Sequence, residues 1–164
     1  MAIVFLSIGS NLGNKKNNIL TSIKYIKQFA KVIKKSFLYE TSPVGYLNQP
    51  YFFNCVIQIE TDLGPMTLLD RLKSIEKLMG RKKTVRWTNR IIDLDILFYD
   101  NSIIQTQKLI VPHKELHKRK FVLYPLEEIV PNYIHPILKK TVSRLKYSLK
   151  DNLQKIKKLY KLNS

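Results

Sequence analysis

A single cysteine in 164 residues rules out an internal disulfide framework. Cys55 sits in an apolar strand pattern, so a reducing compartment and a buried, inert thiol are expected. Long hydrophobic runs are missing as well. No stretch approaches the roughly 18 apolar residues that a membrane span needs, and the opening Met1-Ala2-Ile3-Val4-Phe5-Leu6-Ser7-Ile8 has no basic segment before it. A cytoplasmic protein with no membrane partner is the expectation. Acidic side chains are scarce, 12 against 29 Lys plus Arg, and the resulting net charge of +17 favours anionic partners without choosing among nucleotide, nucleic acid and acidic surface. Of the 29 basic residues 23 are lysine, spread along the chain as a solvated coat, whereas three of the six arginines, Arg81, Arg86 and Arg90, fall within ten residues. A planar guanidinium grips phosphate bidentately and an ammonium does not, so this cluster reads as a phosphate clamp. Internal repeats and low-complexity linkers are absent too, and a chain of 164 residues that is 45% apolar is expected to form one domain over 1–164.

The arginine cluster runs directly into an apolar strand that holds two carboxylates. Asp93 and Asp95 are two apart, so an extended strand points both to one face while Ile92, Leu94 and Ile96 point to the other. Two neighbouring oxygen ligands suit a hard cation such as Mg²⁺, which keeps several waters and is held by one or two carboxylates together with substrate phosphates. The two aspartates could instead pair only with the nearby arginines. Two like charges on one face of a core strand are costly without a cation between them, which favours the metal reading.

The pattern of elements predicts an α+β fold. Residues 2–8 read as a buried strand. After the turn Gly9-Ser10-Asn11-Leu12-Gly13-Asn14, the residues Ile19, Ile23, Ile26, Ala30 and Ile33 recur at helical spacing. Residues 32–40 and 51–60 read as strands joined by a segment from Thr41 to Pro50, too long for a tight hairpin and a candidate lid. Gly64-Pro65 opens a second helix whose apolar face is Leu68, Leu69, Leu72, Ile75 and Met79, and Gly80 stops it. The strand bearing the two aspartates follows. The order βαββαβ predicts a ferredoxin-like core, an antiparallel sheet with helices on one face and the other face available to ligands. Beyond short extended pieces and a short helix before Pro131, Leu138, Val142, Leu145, Leu149, Leu153, Ile156 and Tyr160 predict a C-terminal helical extension, one basic amphipathic helix over about 138–162. It could dock on its own domain, on a second copy or on an anionic surface.

Other segments carry weaker signals. Ser7 to Gly13 lies between strand and helix like a phosphate loop but lacks the Gly-Lys-Ser/Thr ending, so it reads as a turn bordering a ligand. In the strand from Tyr51 to Ile59, alternation sets Phe52, Asn54, Val56 and Gln58 apart from a core face of Tyr51, Phe53, Cys55, Ile57 and Ile59. Phe52 and Asn54 offer a stacking ring and an amide to a planar heterocycle, or simply pack across strands. His113 and His117 are four apart, yet no His-Glu-x-x-His pattern or cysteine accompanies them, so zinc is not expected. A histidine after Pro112 could donate to phosphate, with Arg119 nearby.

Taken together, Ser7 to Gly13, the turn from Thr41 to Gly45, Gln49-Pro50 with Phe52-x-Asn54, Arg81 to Asp95, and Val111-Pro112-His113 through Arg119-x-Phe121 resemble the 6-hydroxymethyl-7,8-dihydropterin pyrophosphokinases of folate synthesis. The resemblance spans about residues 3–131 and leaves the Lys-rich C-terminus outside, with a motif-bearing core over 1–131. It implies transfer of diphosphate from ATP to the pterin hydroxymethyl group, releasing AMP, with two Mg²⁺ ions held by Asp93 and Asp95. It further implies Arg81, Arg90, Asp93 and Asp95 as catalytic residues. ATP would lie against Arg81, Lys83, Arg86, Trp87, Arg90, Ile96, Lys108, His113 and Arg119, with Ile96 beside the adenine. Thr41, Val44, Phe52, Asn54 and Phe121 would enclose the pterin, the two phenylalanines stacking on its faces. The implied partners are ATP and the pterin, with no nucleic acid, and the chain is expected to act as a monomer. Departures from the family pattern are Thr88-Asn89 after Trp87 in place of Gly-Pro, Lys83 and Lys108 where arginine is common, and Lys114. A rival class, a single-stranded RNA-binding module on the same type of sheet, lacks its basic-Gly-aromatic-Gly-aromatic pattern here, and a same-face carboxylate pair would repel a phosphate backbone.

Overall fold

The computed structural model describes residues 1–44, 48–80, 89–150 and 153–162. Its centre is an antiparallel sheet in the order β5-β1-β4-β3-β8, formed by Asp93–Tyr99, Ala2–Ser10, Phe52–Thr61, Phe37–Thr41 and Ile156–Lys161, with β2 (Lys31–Lys35) also paired to β4. Helices α1 (Lys15–Ile26) and α2 (Pro65–Leu78) cover one face, and a core of Val4, Leu6, Ile8, Ile57, Leu94 and Ile96 from the strands with Ile19, Ile23, Leu68 and Leu72 from the helices lies between them. Each such fully buried aliphatic contributes about 1.5–3 kcal/mol over its exposed state.

Local chemistry explains the element ends. The Asn14 side chain caps α1 by accepting from the Asn17 amide at 3.0 Å. Pro65 enters α2 in its first turn, and Gly80, at φ +88°, ends the segment in a conformation that other residues adopt only with strain. Helix α1 stops at Ile26, and Ile33, which continues its spacing, belongs to β2 instead. The strand expected over 32–40 is divided at Ser36, whose amide donates to the Val56 carbonyl at 2.9 Å while its hydroxyl accepts from the Val56 amide at 2.9 Å.

Two expectations need correction. Helices do not keep to one face: α3 (Lys120–Ile129) and α4 (Val142–Tyr147) pack on the other, over Phe5, Val56, Leu97 and Phe98. The alternation that sends Val56 to that face gives them an apolar landing, so only one end of the face stays open. Nor does a helix run over 138–162. The chain forms α4, capped by the Thr141 hydroxyl accepting from the Arg144 amide at 3.1 Å, and then β8, which pairs with β3 from Thr41 opposite Ile156 to Phe37 opposite Lys161. Without β8 the edge of β3 would present a row of unpaired N–H and C=O groups. Leu153, one of the helical stripe, is 92% exposed, whereas Leu159 and Leu162, off that stripe, pack on the core. A two-stranded hairpin of β6 (Ile104–Gln105) and β7 (Ile110–Val111) and a 3-10 turn at Leu116–Lys118 connect β5 to α3. No helix among the described residues is long and apolar enough to cross a membrane.

Candidate active site

The open end of the sheet carries a cleft of about 150 Å³, walled by the ends of β1, β4, β3 and β5 and by the segment entering α3. Alternation brings Ser7 and Gly9 of β1, Phe52 and Asn54 of β4 and Asp93 and Asp95 of β5 to the same side, with Asp95 opposite Ser7 and Asp93 opposite Gly9. Asp95 is half-buried. Its pKa is pushed up to about 7, first by burial and then by the charge of Asp93, with Arg119 pulling the other way. Behind the strand, the buried Glu76 carboxylate of α2 accepts the Leu94 amide at 2.8 Å and so fixes the backbone between the two aspartates.

Cations and a neutral donor surround this pair. The side chains of Arg90 and Arg119 line the cleft, and Arg119 lies over the Phe121 ring with Cζ 5.4 Å from the centroid. His113 is held by donation from its amide to the Leu97 carbonyl at 3.0 Å and from the Glu115 amide to its Nδ1 at 3.1 Å. Acceptance at Nδ1 places the ring proton on Nε2. Burial, then Arg119, lowers the His113 pKa to about 4 against the opposing effect of Asp93, so the ring is a neutral donor at pH 7.

The other end of the cleft is uncharged. Thr41, Ser42, Val44, Gln49, Phe52, Asn54 and Gln154 line it, with Phe121 beside them. Asn54 Nδ2 donates to Thr41 Oγ1 at 2.6 Å, which orients the carboxamide. Asn11, from the turn after β1, joins the loops around the cleft: its Nδ2 donates to Gln49 Oε1 at 3.0 Å and the Pro50 carbonyl at 3.2 Å, while its Oδ1 accepts the Arg90 amide at 2.6 Å.

Of the residues singled out from sequence, Thr41, Val44, Phe52, Asn54, Arg90, Asp93, Asp95, Arg119 and Phe121 meet in one cleft, with His113 at its edge. Ile96 and Lys108 do not. The Ile96 side chain is 3% exposed in the core on the opposite sheet face, where strand alternation from Asp95 sends it. Lys108 is exposed in the turn between β6 and β7. Arg81, Lys83, Arg86 and Trp87 lie outside the described residues. Ser42, Glu76 and Gln154 were not anticipated. For Glu76 a signal existed, an acidic residue four after Leu72 on the apolar side of α2; Gln154 had none, because its segment reads as helix.

Two carboxylates are a sparse donor set. Among the described residues no group of three or more His, Cys, Asp or Glu side chains could hold a metal ion. An all-oxygen pair fits a hard cation whose remaining ligands are water and phosphate, and does not fit zinc.

A family model described as 7,8-dihydro-6-hydroxymethylpterin-pyrophosphokinase matches residues 5–131. The chain belongs to this family. It is thus a pyrophosphokinase, and curated relatives agree across most of its length. It is 44% identical over 146 residues to 2-amino-4-hydroxy-6-hydroxymethyldihydropteridine pyrophosphokinase of Aquifex aeolicus, covering 89% of this chain and 91% of the relative. It is 46% identical over 147 residues to the folic acid synthesis protein FOL1 of Dictyostelium discoideum, 90% of this chain but only 22% of that longer protein. Wild-type Plasmodium falciparum HPPK-DHPS superposes with a TM-score of 0.71 at 19% identity, over 89% of this chain and 44% of that one, a likeness of fold.

Proposed function

We propose that the chain transfers diphosphate from ATP to the hydroxymethyl group of 6-hydroxymethyl-7,8-dihydropterin, giving AMP and the pterin diphosphate in tetrahydrofolate biosynthesis. The observation that carries this reading is the polarity of the cleft. Paired carboxylates on β5, with guanidinium groups, form one wall, and rings with oriented amides form the other, beginning on β4 two strand spacings or about 10 Å away across the sheet. A triphosphate at the first and a heterocyclic alcohol at the second bring acceptor oxygen and phosphorus together between them. The strand order, with β2 and β3 sharing one position beside β4, supports a ferredoxin-like core as the scaffold.

Asp93 and Asp95 would hold Mg²⁺, two ions by family resemblance, which when bound neutralise phosphate charge and align the triphosphate. The remaining work falls to the chain. Transfer at phosphorus disperses charge over the transferred oxygens, so Arg90 and Arg119 act as donors to them and need no proton exchange. His113, kept neutral by burial, offers its Nε2 proton as a further donor. Phe52 and Phe121 sandwich the pterin, while Asn54 and Thr41 read its edge and fix the hydroxymethyl group in line. Arg81, Lys83, Arg86 and Trp87 would complete the phosphate end. On the RNA reading the sheet face would be open along its length, whereas α3 and α4 occupy much of it.

The test is AMP release. ATP, magnesium and the pterin together should give AMP and the pterin diphosphate in equal amounts, and omitting either the pterin or the metal should abolish both. AMP formed without the pterin, or none with it, would overturn the reading.

A further inference from the structure

The wall of the cleft farthest from the aspartates is built by a segment beyond residue 131, where the family match ends. Gln154, in the bend before β8, is buried and lines the cleft beside Thr41, Ser42, Phe52 and Asn54.

Its position is over-determined. Gln154 Nε2 donates to the Ser42 carbonyl at 2.8 Å, and Lys120 Nζ donates to the Gln154 carbonyl at 3.0 Å. The next residue closes the splice: the Ser42 amide donates to the Lys155 carbonyl at 2.9 Å, and the Lys155 amide donates to Ser42 Oγ at 2.8 Å. Because a carbonyl oxygen only accepts, the amide nitrogen must face Ser42, and this settles which way the carboxamide is turned. A long side chain has thereby lost its rotamer freedom before any ligand arrives, which removes a usual cost of binding.

We propose that Gln154 is a substrate-binding residue that hydrogen-bonds the polar edge of the pterin and, through β8, makes the C-terminal strand part of the acceptor specificity of this chain. The proposal rests on the pterin reading given above. A fused heterocycle with amide-like N–H and C=O groups on its rim is what an oriented carboxamide complements. Phosphate is met elsewhere by guanidinium groups, and Thr41, Ser42, Val44, Phe52 and Asn54 around Gln154 carry no charge.

Steady-state AMP formation by Gln154→Met, which keeps length and removes hydrogen bonding, separates this from a purely structural role. The KM for the pterin should rise about tenfold, the worth of one hydrogen bond, while the KM for ATP moves less than twofold. An unchanged pterin KM, or a parallel rise in both, overturns the proposal. Should the variant fail to fold, the wild-type protein decides: the Gln154 side-chain amide signals, assigned through its backbone by NMR, should shift when the pterin is added to the complex with magnesium and a non-hydrolysable ATP analogue. Signals that stay in place overturn it equally. Wild-type protein that makes no AMP from the pterin would instead defeat the functional reading, so the two failures are distinguishable.

Discussion

Gly9 and Asn54 stand opposite each other on β1 and β4 so closely that a Cβ on Gly9 would lie 2.7 Å from Asn54 Oδ1. That oxygen belongs to a buried carboxamide already bonded to Thr41, so it cannot swing away without breaking a 2.6 Å hydrogen bond. Gly9→Ala should therefore cost about 1–3 kcal/mol of stability and weaken pterin binding at least tenfold. Urea titration and calorimetric titration with the pterin check the two effects, and a variant unchanged in both would show that Asn54 has room to move.

Asp95 predicts a trade between stability and activity. Its folded pKa, near 7, lies above the usual carboxylate value, so the folded state binds the proton more tightly than the unfolded chain does. Stability therefore falls as pH rises from about 4 to 7, and the deficit is fully present above the folded pKa. Asp95→Asn removes this half-buried charge: without magnesium it should be more stable than the wild type at pH 8, by on the order of a few kcal/mol, with the gap closing toward pH 4. AMP formation should drop to background. Magnesium with an ATP analogue should raise the melting temperature of the wild type and leave that of the variant where it was. A variant less stable than wild type at pH 8 would contradict the sign.

Asn11 joins the two loop regions flanking the cleft, so Asn11→Ala should loosen both together. Hydrogen exchange should quicken at Gln49 and at the Arg90 amide, which donates to Asn11 Oδ1 at 2.6 Å. Because positioning loss of about 1 Å can cost a hundredfold, kcat/KM should fall by roughly tenfold to a hundredfold. Exchange that rises at only one of the two sites would show that the loops are held independently.

Much of the site was legible because strand alternation is a local rule. It sets Asp93 and Asp95 together, opposite Ile92, Leu94 and Ile96, and it separates Phe52 and Asn54 from Cys55 and Ile57. The same rule sends the Ile96 side chain into the core, on the face away from the cleft. Asn11 and Gly9 lie in the segment Ser7 to Gly13, but only distances show that one ties two loops and the other has no room for a Cβ.

The amino-acid sequence by itself determined the periodicities, the arginine cluster and the acidic pair, since each depends on neighbours a few residues away. Tertiary structure decided what required distant partners: Ser36 interrupting a strand because Val56 bonds it, α3 and α4 closing half of a sheet face, and the C-terminal segment forming β8. Lysines interleaved with apolar residues satisfy helix and strand alike, and the unpaired edge of β3, more than a hundred residues earlier in the chain, selected the strand and carried Gln154 into the cleft.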